Sequence, residues 1–150
     1  MNETKFNVSK DTKKRTHNGI VFDSVTEMRY YRDVVLPRVE RGEIIFYEMQ
    51  KPYTLQPEFE REGKHVKPIV YVADFYIKYA DGREEVIDIK GCPDATAKLK
   101  RKLFWYVYPN TTYLWICYSH KDGGWVTFET VRERRNKDKL ERRKKSNNEE

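Results

Sequence analysis

Read as a pattern of apolar and polar positions, the chain first shows a short apolar run, Ile20-Val21-Phe22, followed by Ser24-Val25-Thr26-Glu27. The second stretch is an S-x-x-E capping box, which predicts a helix from about Val25 to Arg41. Tyr31, Val34 and Val35 fall on the same stripe as Glu27, leaving Arg29, Arg32 and Arg38 to face water. Pro37 predicts a kink or break, and Gly42 ends the element. Strand-like runs follow at Ile44 to Tyr47, Tyr53 to Phe59, Ile69 to Tyr79 and Glu85 to Lys90. Asp94 can cap a second helix through Tyr108, with Ala95, Leu99, Leu103 and Tyr106 inward and Lys98, Arg101, Lys102 and Trp105 toward another surface. Pro109 terminates it. Thr112 to Tyr118 and Trp125 to Phe128 read as two more strands, joined through a turn-rich loop at 120–124. This order predicts an α/β or α+β domain whose mixed central sheet is covered on both faces.

The turn after Tyr79 decides which side chains meet across the central hairpin. A two-residue loop Asp81-Gly82 would set Asp88 against Phe75. A three-residue loop, Ala80-Asp81-Gly82, with Gly82 left-handed, pairs Lys78 with Glu84, Tyr76 with Val86, Phe75 with Ile87 and Asp74 with Asp88. The second register matches opposite charges at one pair and apolar partners at two, and is the one expected.

It places two half-buried carboxylates side by side, with Lys90 two residues further along the same face. Such a pair persists only if one member is protonated, a cation neutralises both, or water reaches them. Oxygen-only ligation selects a hard cation, Mg²⁺ or Mn²⁺, which keeps several waters and accepts phosphate oxygens. That is equipment for metal-assisted phosphodiester hydrolysis. Lys90 can then polarise the attacking water or offset charge on the phosphorane, and Glu27, a carboxylate on an apolar stripe, can complete the site from the first helix.

The charge is uneven. The chain carries 30 Lys and Arg against 24 Asp and Glu among 150 residues, a net +6, and much of the excess lies in Arg132 to Glu150, a run almost without apolar residues. We expect a basic flexible arm at 1–18, a folded body at 19–131 and a basic tail at 132–150 forming at best a solvated, fraying helix. Basic extremities suggest nucleic acid as strongly as they suggest solubility, and Lys98, Arg101 and Lys102 are the candidate phosphate contacts. The 21 aromatic residues supply a real core and exclude a wholly disordered chain. No run is long enough to span a membrane and no secretory signal opens the chain, so a soluble cytoplasmic protein is expected. Cys92 and Cys117 lack zinc spacing and are expected to be buried, reduced and structural. His17, His65 and His120 read as surface residues.

The ordered set Glu27, Asp74 and Asp88-Ile89-Lys90 on helix, strand and strand resembles the PD-(D/E)xK nuclease superfamily. The wider context is 19–24, Leu55-Gln56-Pro57, Tyr71-Val72-Ala73-Asp74-Phe75, Asp88-Ile89-Lys90-Gly91 and 98–103. It resembles a phage-encoded family within that superfamily associated with Holliday junction resolution. The resemblance covers about Phe22 to Trp115. It implies a restriction-endonuclease-like α-β-β-β-α-β core, with Asp74 and Asp88 as metal ligands, Glu27 as a further ligand directly or through water, the Ile89 carbonyl as another, and Lys90 as the catalytic lysine. Two departures are Asp88, where Glu is often found, and Ala73, where a Pro often precedes the first Asp.

The expected activity is Mg²⁺-dependent, structure-selective cleavage of branched or duplex DNA, as in the resolution of Holliday junctions during phage recombination. In that setting the location would be the host cytoplasm. The active species would be a homodimer, with Trp115, Trp125 and Phe128 available to its interface. Rival readings are a transposon-end or repair nuclease of the same fold, and a non-catalytic nucleic-acid-binding module using Trp105 and Tyr108 as stacking contacts.

Overall fold

The structure, a computed structural model, describes residues 11–148. In chain order the elements are β1 (Thr16–His17), β2 (Ile20–Val21), α1 (Val25–Tyr30), a π-helical turn (Tyr31–Val35), α2 (Leu36–Glu40), β3 (Ile44–Gln56), β4 (Phe59–Arg61), β5 (Lys64–Val66), β6 (Ile69–Tyr79), β7 (Glu84–Ile89), α3 (Ala95–Val107), β8 (Thr112–Ser119), β9 (Gly124–Thr127) and α4 (Phe128–Asn147). Five strands form one mixed sheet in the order β3-β6-β7-β8-β9. The β3-β6, β6-β7 and β8-β9 pairs are antiparallel, whereas β7 and β8 are parallel and joined through α3. The expected mixed α/β fold with helices on the sheet is therefore present.

Glu27 is set in place from both ends of its helix. Ser24 Oγ accepts the Glu27 N–H at 3.1 Å, which closes the N-terminal cap. Downstream, α1, the π turn and α2 run on without a break. At the π turn the Leu36 N–H reaches back five residues to the Tyr31 carbonyl. This widened turn accommodates Pro37, which would clash in a regular helix, so the expected kink appears as a bulge. The helix ends as expected: Gly42 (φ +75°) adopts the left-handed conformation, and Glu43 N donates to Arg38 O at 2.9 Å.

The central hairpin has three of the four expected pairs, Lys78 opposite Glu84, Tyr76 opposite Val86 and Phe75 opposite Ile87, whereas the expected rung of Asp74 opposite Asp88 is not formed because the strands part after Phe75 and Ile87. Tyr79 N donates to Arg83 O at 2.9 Å, closing a three-residue loop in which Gly82 has φ +89°.

Two cores lie on opposite faces of the sheet. Phe22, Met28, Tyr30, Tyr31 and Val35 pack with Phe75, Ile77 and Ile87 on one face. On the other, Phe104 of α3 is fully buried among Tyr53, Tyr71, Tyr108 and Tyr113, with ring centroids 4.6 to 5.7 Å from its own. Strands β3 and β6 contribute to both. Tyr47 and Met49 join the first core while Tyr53 and Leu55 join the second, and the turnover falls at Gln50, whose φ is +55°. In β6, Tyr71 and Ala73 belong to the second core and Phe75 and Ile77 to the first. Asp74 sits at that changeover.

Several expectations are corrected. The strands expected at Ile44 to Tyr47 and Tyr53 to Phe59 are one strand, β3, because it lies at the sheet edge, where Pro52 can be tolerated without its N–H. Phe59 instead opens a small hairpin, β4-β5, turned by Glu62 and Gly63 at φ +52° and +71°. Helix α3 is rotated from the expected face: Leu103 packs on the core as expected, but Leu99 and Tyr106 are 58% and 85% exposed, while Ala97, Phe104 and Tyr108 face the core. Burying Phe104 among four tyrosines outweighs burying a line of aliphatic residues. Phe128 begins α4 rather than ending a strand, because Thr127 caps the helix by accepting the Thr130 N–H at 3.3 Å.

Residues 1–10 of the expected flexible arm lie outside the described residues. Its remainder is folded: Asp11 caps a 3-10 turn, β1 pairs with β2, and the Arg15 guanidinium donates to the Phe22 carbonyl at 2.6 Å. The expected boundary at 131/132 falls inside α4, which is fastened by buried Val131 and by Arg134 bonding Asp122 at 2.8 Å. Trp115, Trp125 and Phe128 are used within the chain. Trp115 is 2% exposed, Phe128 meets it edge-on at 5.5 Å, and Trp125 meets Tyr30 at 5.1 Å. Cys117 is buried and free as expected, but Cys92 is exposed. His65 and His120 are exposed and His17 is half-buried. Among the described residues no helix is long and apolar enough to cross a membrane.

Candidate active site

Strands β6 and β7 stop pairing at Phe75 and Ile87. Beyond that rung the main chains part, and the Asp74 side chain fills the place of a backbone partner, its Oδ2 accepting the Ile89 N–H at 2.8 Å. The Lys90 N–H in turn bonds the Ile116 carbonyl of β8 at 2.9 Å. The fork between β6 and β7 thus holds Asp74 on one prong and Asp88, Ile89 and Lys90 on the other. Glu27 approaches from α1.

Asp88 is 3% exposed and Glu27 8%. The Lys90 ammonium forms an ion pair with Asp88 Oδ2 at 3.0 Å, and this buried oxygen has no other polar partner among the described residues. Burial, then the Asp88 charge, then Glu27 push the Asp74 carboxyl up to about 9, against the lowering effect of the Ile89 N–H. Burial, Asp23 and Asp88 push Glu27 up to about 7, partly countered by Ser24 and Lys90. For Lys90, burial acts downward, but Asp88, Asp74 and Asp94 outweigh it and hold the ammonium above its ordinary value. The four residues singled out from the sequence therefore influence one another electrostatically, and three carry perturbed protonation equilibria.

Such a crowd of carboxyl groups is costly unless protons or a cation relieve it. Among the described residues no group of three or more His, Cys, Asp or Glu side chains is already arranged as a metal cage. The groups this end of the fork offers are oxygens, those of the Asp74 and Asp88 carboxylates and the Ile89 carbonyl, with Asp88 Oδ2 held by the Lys90 ammonium. A hard divalent cation bound by one or two carboxylates, with water and substrate completing its shell, fits this set, whereas a zinc site does not.

Some nearby residues had no signal in the sequence. Burial and the Asp88 charge push the Tyr71 phenol up, and its buried oxygen has no hydrogen-bond partner. Tyr71 stands three residues before Asp74, so strict strand alternation puts the two on opposite faces. The changeover in β6 brings both under the influence of Asp88. Asp94, the cap of α3 that accepts the Ala97 N–H at 2.6 Å, adds negative charge near Lys90.

The expected phosphate contacts on α3 separate. Lys98 and Lys102 are exposed. Arg101 is not available: its Cζ lies 3.7 Å from the Trp115 ring centre and its Nη1 bonds Glu129 at 2.6 Å. Trp105 is 46% exposed, but Tyr108 belongs to the second core and donates its hydroxyl to Thr54 O at 2.9 Å.

A larger hollow of about 850 Å³ lies at the other end of the sheet, near Tyr79, Arg83 and Glu85. Several of its charges are matched among themselves, as in Arg41–Glu43 and Arg83–Asp81, and Arg38 donates to the Tyr79 hydroxyl at 3.3 Å.

No curated protein and no solved structure matches the chain. A family model described as "Protein of unknown function (DUF1064)" matches residues 7–124, a span that includes Glu27, Asp74, Asp88 and Lys90 and stops short of α4. By that match, over most of its length, the chain belongs to the DUF1064 family.

Proposed function

We propose that the protein is a divalent-metal-dependent endonuclease that hydrolyses DNA phosphodiester bonds, with the forked end of β6 and β7 as its active site. The observation that carries this reading is the clustering of Asp74, Asp88 and Glu27 with a lysine held as ammonium, whose ion pair is the one polar contact of a buried Asp88 oxygen among the described residues. The element order α1, β3, β6, β7, α3, β8 also accommodates the α-β-β-β-α-β core of the PD-(D/E)xK nucleases that the motif resembles.

Asp74, Asp88 and the Ile89 carbonyl would hold Mg²⁺ or Mn²⁺, with Glu27 as a further ligand directly or through water. Such a cation supplies charge neutralisation at the phosphate and an acidified water. Lys90, protonated at neutral pH, places a positive charge where the pentacovalent phosphorane gains negative charge. Glu27, pushed up to about 7 by burial, Asp23 and Asp88, can take a proton from water in the neutral range. Ion pairing with Asp88 fixes the Lys90 ammonium beforehand, so little reorganisation is needed during reaction.

Within this reading the substrate is branched DNA, as the resemblance to junction resolvases implies, and two copies act together because a four-way junction needs two symmetry-related nicks. The test is incubation of the full chain with labelled duplex, single-stranded, flap and four-way-junction DNA, with and without Mg²⁺. We expect Mg²⁺-dependent cleavage, greatest on the junction, and its loss in Asp88→Asn. Absence of cleavage on every substrate, or full activity of Asp88→Asn, refutes the assignment. Sedimentation on the junction tests the dimer, which a strictly one-to-one active complex contradicts.

A further inference from the structure

Helix α4 presents two unlike sides. At 100° per residue, Arg132, Arg135, Lys139, Arg142 and Arg143 fall within a sector of about 100° that also holds Phe128 and Ser146 and no acidic residue. Glu129, Glu133, Asp138 and Glu141 all lie outside it. On the remaining circumference the charges alternate at helical spacing. Arg134 pairs with Asp138 at 3.0 Å, and Glu133 and Lys137, like Glu141 and Lys145, stand four residues apart. The five cations of the acid-free sector are exposed and, among the described residues, none of them is in an ion pair. Arg134 differs: it is committed to Asp122 and Asp138 and anchors the helix.

The basic sector begins beside the proposed active site. A groove of about 330 Å³ is lined by Gly91, Cys117, Phe128, Val131, Arg132 and Arg135. Gly91 follows Lys90, and Cys117 follows Ile116, whose carbonyl receives the Lys90 N–H. From Arg132 to Arg142 the helix rises about 15 Å, and a duplex presents a phosphate on each strand roughly every 3.4 Å of its axis, so this face spans about four phosphates.

We infer that the acid-free face of α4, entered through the Gly91–Arg132 groove, is the track for the phosphate backbone of duplex DNA flanking the bond to be cut. The track rests on the endonuclease reading for its orientation, and it transfers the main electrostatic footprint from α3 to α4. Continuity with the site and five unpaired cations of one sign carry the argument. Segregation of charge on one helix is not needed for solubility, which the mixed side already provides. Because contacts to phosphate oxygens carry no sequence information, the binding is independent of sequence.

The experiment measures binding of fluorescent duplex DNA across a salt series in EDTA, with the full chain, Arg132→Gln/Arg135→Gln/Lys139→Gln, and Lys137→Gln/Lys144→Gln/Lys145→Gln from the mixed side. Glutamine keeps helix propensity, and circular dichroism confirms the fold of each variant. The basic-face triple variant should lose about 2.7 units from the slope of log K against log salt, from three phosphate contacts at 0.9 each. The mixed-side variant should lose less than about one unit, under the same counterion rule. Equal losses in the two variants, or an unchanged slope in the first, overturn the track. If the loss appears only with duplex RNA, the DNA assignment is overturned. Parallel Mg²⁺ cleavage assays separate the two readings: a chain that cleaves with α4-independent binding retires the track alone, and one that binds through α4 without cleaving retires the nuclease alone.

Discussion

Replacing Asp74 with Asn should stabilise the metal-free protein, by an amount that grows with pH. In the unfolded chain the Asp74 carboxyl loses its proton near 3.8, and in the folded site it keeps it up to about 9. The folded state therefore binds the extra proton between those values. The contribution to stability is full below 3.8 and is lost progressively as pH rises to about 9. At pH 7 the group has spent roughly three pH units in that window, and at 1.36 kcal/mol per unit the loss is about 4 kcal/mol. Protonation shared with Glu27, itself raised to about 7, reduces what one substitution recovers. About 2 kcal/mol remains, which for a chain of this length is roughly 4–8 °C in Tm. Asn is nearly isosteric, carries no charge and still offers an oxygen to the Ile89 N–H. Thermal unfolding of both proteins in EDTA at pH 5, 6, 7 and 8 measures the gap, which should widen with pH. Adding Mg²⁺ should narrow or reverse it, because the cation stabilises only the parent. A gap independent of pH, or an Asn variant that melts below the parent at pH 8, refutes the crowding argument.

Three further outcomes are expected. Lys90→Ala should lower kcat far more than it weakens DNA affinity, since the ammonium acts as charge develops; single-turnover rates and binding isotherms together decide this. Lys98→Gln/Lys102→Gln should lower the salt slope of duplex binding by up to about two units, whereas Arg101→Ala should lower Tm, because that guanidinium packs on Trp115 and bonds Glu129; calorimetry and anisotropy read the two effects separately. Phe104→Ala should cost about 3–5 kcal/mol in chemical denaturation, as expected for a large fully buried ring surrounded by others that cannot collapse into its space.

The parts of the site that could be read from the sequence are those governed by local rules. Turn length and cross-strand matching determine the register of β6 and β7, and so the meeting of Asp74 with Asp88 and Lys90. The capping box determines where Glu27 sits on its helix. What escaped depends on distant partners. The orientation of α3 is decided by the pocket Tyr53, Tyr71, Tyr108 and Tyr113 make for Phe104, whereas the expected line of Ala95, Leu99, Leu103 and Tyr106 keeps only Leu103 on that core. Continuity of β3 through Pro52 follows from its place at the sheet edge, which only the strand order reveals. The α4 helix has little apolar surface of its own, and its attachment depends on Val131 and on Asp122 from the preceding loop. Tyr71 reaches the site because two neighbouring strands turn over together, an event that strict alternation does not anticipate.

The widened turn at Tyr31–Val35 has a consequence for how this helix can vary. It adds about one residue to what a continuous α-helix would need, and so fixes the rotational phase between Glu27 at one end and the Pro37–Gly42 terminus at the other. Removing a single residue there would restore uniform hydrogen bonding with little change of phase at either end, but would set the Pro37 ring against the carbonyl four residues before it. A deletion elsewhere in the helix, outside the widened turn, would instead swing Glu27 by roughly 100° relative to the α2 end. The widened turn is thus the one place in this helix where length can change and Glu27 still face the fork, whereas exposed Arg32 and Asp33 are free to change in identity.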